Sequence, residues 1–414
     1  MRIMYQHVAG IDVHKKIIAV AILVLDQEGQ WYQETRTFST MTADLLALSD
    51  WLTSHGVTHV AMESTGEYWK PLFNILEEDF EVVLVNARHL SKVPGRKTDQ
   101  SDAEWLAELM QCGLLKASFI PPPGQRELRE LTRYRNSFVR ERVNLMNRLH
   151  KLLESANIKL GSVASDVLGV SGRAMLEAII AGQMSPAEMA ELAKGRMREK
   201  REELAKALEG RVKAHHRFVL TELLCQIDSL DETIARFDQQ IVEYCRPFEE
   251  AIALVDTIPG VGRRSAEDLI AEIGIDMERF PTHRHLASWA GRSPGNHQSG
   301  GKRRSGKRSK GNKRLGAVLN QMAHAAARSK DTYLSAQYHR LARRIGKKKA
   351  IGALEHTILV MAYHMIKRRV PYHELGADYF EKRNSELTAK RLIKRLEKLG
   401  YQISIDQQPV SLAA

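Results

Sequence analysis

The sequence is poor in the features that define several protein classes. It has three cysteines in 414 residues, Cys112, Cys225 and Cys245, without Cys-x-x-Cys spacing, which argues against a disulfide scaffold or a zinc ribbon. No apolar run reaches the roughly 18–20 residues that a membrane span needs. Residues 1–10 lack the apolar core and cleavage site of a secretory signal. We therefore expect a soluble cytoplasmic protein that has no membrane partner.

Acidic residues are missing from one long stretch. Of the 62 basic residues, 13 lie between Arg279 and Lys330, where no acidic residue occurs, and the remaining 49 nearly balance the 50 acidic residues. A basic segment of domain size in an otherwise neutral chain indicates a polyanionic partner, most often nucleic acid. Hydrophobic residues make up 43% of the chain, which is enough for packed cores and argues against wholesale disorder.

The first 112 residues alternate between strand-like runs and helical spacing. Their order predicts a mixed α/β sheet covered by helices, with the strands arranged 3-2-1-4-5. We expect a capping box at Ser64 and Glu67 to begin the second helix. The predicted strands are 8–13, 17–25, 31–38, 58–63 and 82–86, and the predicted helices are 42–52, 68–76 and 99–111.

Two later segments, 126–153 and 214–245, carry apolar side chains at every third or fourth position. This spacing predicts two long amphipathic helices, which pair most simply as an antiparallel coiled coil or with a second subunit. A capping box at Ser185 and Glu188 predicts a short helix between them. Further on we predict helices at 315–330, 350–369 and 387–399 and a short strand at 401–405.

Two segments are candidates for contact with nucleic acid. Pro259-Gly260-Val261-Gly262 resembles a helix-hairpin-helix turn, whose amides bind phosphate at a helix N-terminus; a plain tight turn is the alternative. Residues 291–314 are rich in Gly, Ser and basic side chains, which predicts a loop that becomes ordered on a ligand. The residues expected to contact nucleic acid are Gly260, Gly262, Arg292, Lys302, Arg303, Arg304, Lys307, Arg308, Lys310, Lys313 and Arg314.

Four acidic residues are candidates for a metal site. Asp12 ends the first predicted strand and Glu63 ends the fourth, and these strands are neighbours in the predicted sheet. Asp99 and Asp102 share one face of a helix because they are three residues apart. Carboxylates that converge without a cation repel one another, and oxygen ligands suit Mg²⁺, with Mn²⁺ as the second choice.

Each of these acids also has a purely structural interpretation. Asp12 can end a strand in a turn, and Asp99 and Asp102 can offset the dipole of the first helical turn. Glu67 is an alternative ligand to Glu63. The ordered set on this pattern of strands and helices favours the metal site over the separate structural roles.

Ser299, in the sequence Gln-Ser-Gly-Gly beside the basic field, is a candidate nucleophile. A serine hydroxyl is weakly nucleophilic at its ordinary pKa, but nearby guanidinium groups and metal ions can stabilise its alkoxide and the charge on the phosphorane. A turn residue is the structural alternative. Ser293, Ser305 and Ser309 are equal candidates on this evidence.

The motifs GIDVHK, AMESTG, KTDQSDA, IPGVG and AGRSPGNHQSGGKRRSGKRSKGNKRL occur in this order. Together they resemble the DEDD-type transposases of bacterial insertion sequences, a family described as bridge-RNA-guided serine recombinases. The resemblance covers about residues 7–380. It implies an RNase H-like (RuvC-like) domain, a long helical coiled-coil arm, and a mainly α-helical C-terminal transposase domain with a helix-hairpin-helix-like element. The corresponding boundaries are 1–122, 123–250, 251–380 and, for a C-terminal helix and tail, 381–414.

The resemblance also implies an activity, which is cleavage and strand exchange of DNA during transposition. It implies that Asp12, Glu63, Asp99 and Asp102 bind the metal ions and that Ser299 forms a covalent phosphoserine link to DNA. The implied partners are donor and target DNA, a structured guide RNA and further copies of the chain in a dimer or tetramer. In this family the acids and the serine meet across subunits.

The sequence departs from the family pattern at two places. Arg292 stands where the family usually has leucine, and the middle region, 155–212, is longer than in compact members. Three alternative functions are a nuclease or resolvase that uses water as nucleophile, an ATP-dependent sugar kinase and a non-catalytic scaffold for nucleic acid. The kinase needs a Gly/Thr-rich phosphate turn, where this chain has Val13-His14-Lys15.

Overall fold

The computed structural model describes residues 3–26, 28–63, 66–86, 102–295, 297–305, 308, 310–383 and 385–402, without the side chains of 297–299, 303–305, 385–388, 391 and 392. Internal contacts divide the chain into two units, Met1–Pro121 and Pro122–Ala414. Asp99 and the predicted strand beyond residue 402 lie outside the described residues. No described helix is long and apolar enough to cross a membrane.

The first unit contains a five-stranded mixed sheet in the predicted order β3-β2-β1-β4-β5. β1 pairs antiparallel with β2, and β2 with β3, whereas β4 runs parallel to β1 and β5 parallel to β4. The strands are β1 (His7–Val13), β2 (Ile17–Leu25), β3 (Trp31–Ser39), β4 (His59–Glu63) and β5 (Glu81–Val85), and the helices are α1 (Thr42–Ser54), α2 (Trp69–Leu76) and α3 (Asp102–Gln111).

The two faces of this sheet are covered by different helices. Ile11 and Met62 belong to a core that also includes apolar side chains of α1 and α2. Val8 and Ala61 belong to a separate core with Leu106 and other residues of α3. Because successive strand residues point to opposite faces, the alternation along β1 and β4 determines which helix each residue faces.

Helix α3 packs on β1 at Gly10. A Cβ atom on Gly10 would lie 2.1 Å from the Ala103 carbonyl oxygen and 2.4 Å from the Ala107 nitrogen, so only glycine allows this close approach. The carbonyl oxygen of Gln111, the last residue of α3, accepts a hydrogen bond of 2.9 Å from the Met4 amide, which precedes β1. Helix α3 therefore runs opposite to β1 and begins near the carboxyl end of that strand.

The second unit is largely helical. It also holds a two-stranded sheet, β6 (His297–Ser299) with β7 (Lys302–Ser305). Its α-helices are α4 (Pro123–Ser155), α5 (Leu160–Val163), α6 (Val170–Ala181), α7 (Pro186–Glu191), α8 (Arg201–Ala207), α9 (Ala214–Cys245), α10 (Glu249–Asp256), α11 (Arg263–Ile273), α12 (His283–Trp289), α13 (Lys313–Arg328), α14 (Tyr333–Ile345), α15 (Lys347–Arg368), α16 (Tyr379–Lys382) and α17 (Ser385–Glu397). Short 3₁₀ helices lie at Gly195–Lys200, Arg246–Phe248 and Met277–Arg279.

Helices α4 and α9 pack lengthwise against each other in antiparallel directions. The Phe138 and Phe237 rings lie 5.3 Å apart between centroids, and Arg142 pairs with Asp231 farther along α4. At 1.5 Å per residue each helix is about 50 Å long. A hydrophobic core lies at one end of this pair, where α4 ends and α9 begins. Its residues lie between Leu145 and Leu230 and belong to α4, to α9 and to the segment that connects them.

Some local predictions were wrong. Helix α2 begins at Trp69, and its N-cap residue Tyr68 makes no side-chain cap; the predicted capping box includes Ser64, which lies outside the described residues. The capping box at Ser185 is confirmed, since Glu188 N donates to Ser185 Oγ and Ser185 N donates to Glu188 Oε2. Part of the expected loop 291–314 is instead the β6–β7 hairpin, and helix α14 was not predicted.

Candidate active site

The sheet register brings Asp12 and Glu63 together. Ile11 of β1 pairs with Met62 of β4 in parallel register, so the next residue on each strand places Asp12 beside Glu63. Gly10 and Ala61 are also paired, and this face is covered by α3. Because side chains alternate along a strand, Asp12 and Glu63 lie on that same face at the carboxyl edge of the sheet.

Asp102 approaches the same edge from the helix. It is the first residue of α3, whose second residue, Ala103, lies against Gly10, two positions before Asp12. Since α3 runs opposite to β1, Asp102 is at the end of the helix nearest the carboxyl edge. We call Asp12, Glu63 and Asp102 the carboxylate rim; all three side chains are partly exposed.

The carboxylate rim is not a closed ligand cluster in this structure. Among the described residues, no three His, Cys, Asp or Glu side chains are grouped closely enough to hold a metal ion. Asp12 Oδ2 lies 3.1 Å from His14 Nε2, and that imidazole is exposed. The fourth predicted ligand, Asp99, lies outside the described residues.

Ser299 is the last residue of β6 and pairs with Lys302 across a two-residue turn. Gly300 and Gly301 form that turn with φ of 58° and 75°, the left-handed values that a tight hairpin of this kind requires and that glycine adopts without strain. The backbone position of Ser299 is therefore determined by the hairpin. A Gly-Gly pair between polar residues was the available sequence signal for this turn.

The residues predicted to contact nucleic acid occupy different environments. Lys302, Lys310, Lys313 and Arg314 are exposed. Arg292 and Arg308 instead have a partner inside the protein, because both lie next to the buried carboxylate of Glu355. The side chains of Arg303 and Arg304, and the whole of Lys307, lie outside the described structure.

The glycine turn lies between α10 and α11. Gly260 has φ of 82°, and a Cβ there would lie 2.3 Å from the Ala326 nitrogen of α13. Gly262 is the residue before α11 and has open space around its α-carbon. Gly260 is therefore required for packing against α13, whereas the Gly262 end of the turn is open.

Two buried acids near the hairpin were not predicted. Glu272 of α11 accepts from Arg133 at 2.7 Å and from Asn312 at 2.6 Å, and Asn312 also caps α13 through its side chain. Glu355 of α15 accepts from Arg308 and from Asn320, both at 2.9 Å. No local sequence pattern indicates these contacts, because the partners are 35 to 139 residues apart.

Comparison with known protein families identifies the chain as an enzyme that acts on DNA, a transposase or recombinase. Residues 9–158 match a DEDD-type transposase domain, and residues 252–340 match the transposase domain of the IS116/IS110/IS902 family. The chain carries the transposase domains of the IS110/IS116 family, whose members serve the transposition of insertion sequences. A DEDD domain suggests an RNase H-like fold for the sheet and generally implies dependence on a divalent metal.

Several curated proteins are similar to this chain. A probable family 20 transposase of Pseudomonas aeruginosa is 28% identical over 275 residues, which cover 65% of this chain and 71% of the relative. The transposase for insertion sequence element IS1111A of Coxiella burnetii is 24% identical over 320 residues, covering 76% and 79%. The pilin gene-inverting protein of Moraxella bovis is 39% identical over 72 residues, covering 17% and 22%.

Proposed function

We propose that this transposase cuts and rejoins DNA by attack of the Ser299 hydroxyl on a phosphodiester. In the first step, the Ser299 hydroxyl loses its proton as Oγ bonds to phosphorus, the bond from phosphorus to one deoxyribose oxygen breaks, and that oxygen takes up a proton, so no net proton is gained or lost. In the second step, another deoxyribose hydroxyl attacks the phosphoserine and restores the serine hydroxyl. The phosphoserine retains the energy of the broken bond, so strands are exchanged without net hydrolysis.

The donor chemistry of the carboxylate rim fits a divalent metal ion, because its ligands are oxygens from neighbouring elements. Asp12, Glu63 and Asp102, with Asp99 from the preceding segment, would hold it. A bound Mg²⁺ or Mn²⁺ would supply positive charge to the phosphoryl oxygens. The adjacency of Asp12 and Glu63 in the sheet register is the observation that carries this proposal.

The hairpin and its charges support the role of Ser299. The residue stands next to a two-glycine turn, and it lies in the segment that has 13 basic residues and no acidic one. Exposed Lys302 and Lys310 can bind the phosphate backbone, which gives DNA most of its salt-dependent affinity. The resemblance to guided serine recombinases favours Ser299 as the nucleophile over Ser293, Ser305 and Ser309.

The test of the nucleophile compares Ser299→Ala with Ser293→Ala and Ser305→Ala. Each full-length variant is incubated with Mg²⁺ and a supercoiled plasmid that carries the coding region of this protein with its flanks. We expect a covalent protein–DNA adduct on denaturing gels for the wild type and both controls, and none for Ser299→Ala. Mass spectrometry of the digested adduct should locate the phosphate on residue 299.

The alternative function is a metal-dependent nuclease or resolvase in which water attacks the phosphodiester. The same carboxylate rim serves both reactions, so the rim alone does not separate them. Undiminished cleavage by Ser299→Ala, with no adduct in the wild type, would establish the alternative. Nicked or linear plasmid products without rejoined strands would also support the nuclease or resolvase.

The resemblance also supports a structured RNA as guide, and the exposed basic residues suit such a polyanion. We expect one discrete RNA to copurify with the full-length protein at low salt. It should be lost during high-salt washing, because release of counterions dominates backbone contacts. RNA of random size and sequence would contradict the guided reaction while leaving the serine chemistry intact.

A further inference from the structure

A single buried carboxylate contacts both ends of the segment that carries Ser299. Glu355 on α15 is 4% exposed. Arg292 precedes the β6–β7 hairpin in the chain, and its Nε atom lies 3.2 Å from Glu355 Oε2. Arg308 follows the hairpin and donates a hydrogen bond of 2.9 Å to the same oxygen. The Oε1 atom of Glu355 accepts from Asn320 of α13 at 2.9 Å. A buried carboxylate is stable only with such partners.

Two glycines make room for these two arginines. A Cβ on Gly316 of α13 would lie 1.8 Å from Arg292 Nη2, and a Cβ on Gly352 of α15 would lie 1.5 Å from Arg308 Nη2. At both positions the three nearest atoms belong to the arginine guanidinium and not to backbone. Each helix therefore has a gap at the place where one guanidinium group lies.

The ends of the segment are also close to each other. A Cβ on Gly311 would lie 2.2 Å from the Gly291 nitrogen, so the chain leaving the hairpin runs against the chain entering it. Asn312, the next residue, donates to Glu272 at 2.6 Å. The two ends of the segment that carries the hairpin therefore lie side by side, and Glu355 contacts an arginine from each end.

We propose that Glu355 is a positioning residue, which fixes the hairpin carrying Ser299 by holding Arg292 and Arg308. An isolated two-stranded hairpin is at best marginally stable in water, so its orientation depends on what holds its ends. A displacement of about 1 Å at a reacting group can cost about 10²-fold in rate. This inference rests on the proposed role of Ser299.

The decisive variants are Gly316→Ala and Gly352→Ala. Each adds one methyl group that displaces one guanidinium group and leaves Glu355 in place. Alanine is the better helix former, but the displaced guanidinium group leaves buried Glu355 with one cation fewer, so some thermal stability should be lost. The rates are therefore compared at a temperature at which circular dichroism shows that every variant is folded. We expect the single-turnover rate of serine–DNA adduct formation to fall by about 10- to 100-fold, with the affinity for plasmid DNA nearly unchanged. A stable variant that forms adduct at the wild-type rate would overturn the proposal.

Substitutions of the carboxylate give a second measurement. Glu355→Gln should slow adduct formation, and Glu355→Asp, which keeps the charge, should restore part of the rate. Glu222→Gln, at an exposed position on α9, is the control for loss of one negative charge. A loss of rate in Glu355→Gln that merely follows a loss of folded protein, with no rescue by aspartate, would contradict a positioning role.

A third measurement separates this inference from the chemistry of Ser299. Hydrogen exchange of the backbone amides in 297–305 does not require any reaction. Faster exchange of these amides in Gly352→Ala than in the wild type supports the positioning role, whether or not a serine adduct forms. If exchange is faster but no adduct forms in the wild type, the positioning role stands and the proposed nucleophilic role of Ser299 fails. Unchanged exchange in both glycine variants overturns the positioning role, whatever the nucleophile is.

Discussion

The guanidinium group of Arg135 donates a hydrogen bond of 2.7 Å to the carboxylate of Asp268, although both side chains are buried. Arg135 also donates to Glu267 at 2.9 Å, and Asn136 donates to the second oxygen of Asp268. These contacts connect α4 with α11, the helix that follows the glycine turn. The position of that turn therefore depends on buried charges as well as on apolar packing.

We predict that Arg135→Gln lowers the free energy of unfolding by about 3–5 kcal/mol, because it leaves buried Asp268 without its cation and Glu267 with only Arg263. Arg142→Gln on the same helix is the matched control, since Arg142 and its partner Asp231 are both partly exposed. An exposed ion pair contributes only about 0–1 kcal/mol to the free energy of unfolding. Urea unfolding followed by circular dichroism measures the free energy of unfolding of both variants. Equal decreases in Arg135→Gln and Arg142→Gln would contradict this account.

Replacing Gly10 with alanine should destabilise the first unit. The added methyl group would lie 2.1 Å from the Ala103 carbonyl oxygen, which is backbone and cannot rotate away, so α3 must move. Overpacking of this kind costs about 1–3 kcal/mol. Gly124→Ala is the control because nothing lies within 4 Å of its Cβ position. Thermal melts should show a loss only for Gly10→Ala.

Asp12→Asn and Glu63→Gln should abolish strand exchange while leaving DNA binding intact. Each removes one negative charge from the carboxylate rim, the proposed metal site, and loss of several kcal/mol of transition-state stabilisation corresponds to about 10²-fold or more in rate. Titration calorimetry with Mn²⁺ should show weakened binding for both. Asp50→Asn, at an exposed site on α1, controls for the change of charge. A rim variant with full activity would remove the metal site from the mechanism.

The cysteines should differ sharply in reactivity. Burial raises the pKa of the Cys245 thiol to about 12, so near pH 8 it remains a protonated and inaccessible thiol, whereas Cys225 is exposed. We expect a maleimide to label Cys225 quickly and Cys245 only after denaturation. Cys225→Ser should eliminate the fast phase. Rapid labelling of Cys245 in the native protein would show that the α9 end opens readily.

The sequence was sufficient for the sheet because most of its strands are short apolar runs, separated by turns or by segments with helical spacing. The prediction that Asp12 and Glu63 end neighbouring strands followed from the strand order alone, and the order is confirmed. The hairpin at Ser299 was missed because glycine and basic residues resemble a loop. Its turn depends on two left-handed glycines in succession, which composition does not reveal.

Contacts between distant residues were out of reach of the sequence. Arg292 and Arg308 lie in a basic field, and their charge favoured contact with nucleic acid. Their partner, Glu355, is 47 residues beyond Arg308 on a helix whose pattern shows only that it is amphipathic.

The core between Leu145 and Leu230 has a consequence for how the molecule unfolds. It is assembled entirely from the far ends of α4 and α9 and from the segment between them. Regions with a self-contained core often open as independent cooperative units. This end of the helical pair is therefore expected to unfold as a cooperative unit of its own, separately from the contacts around Arg135.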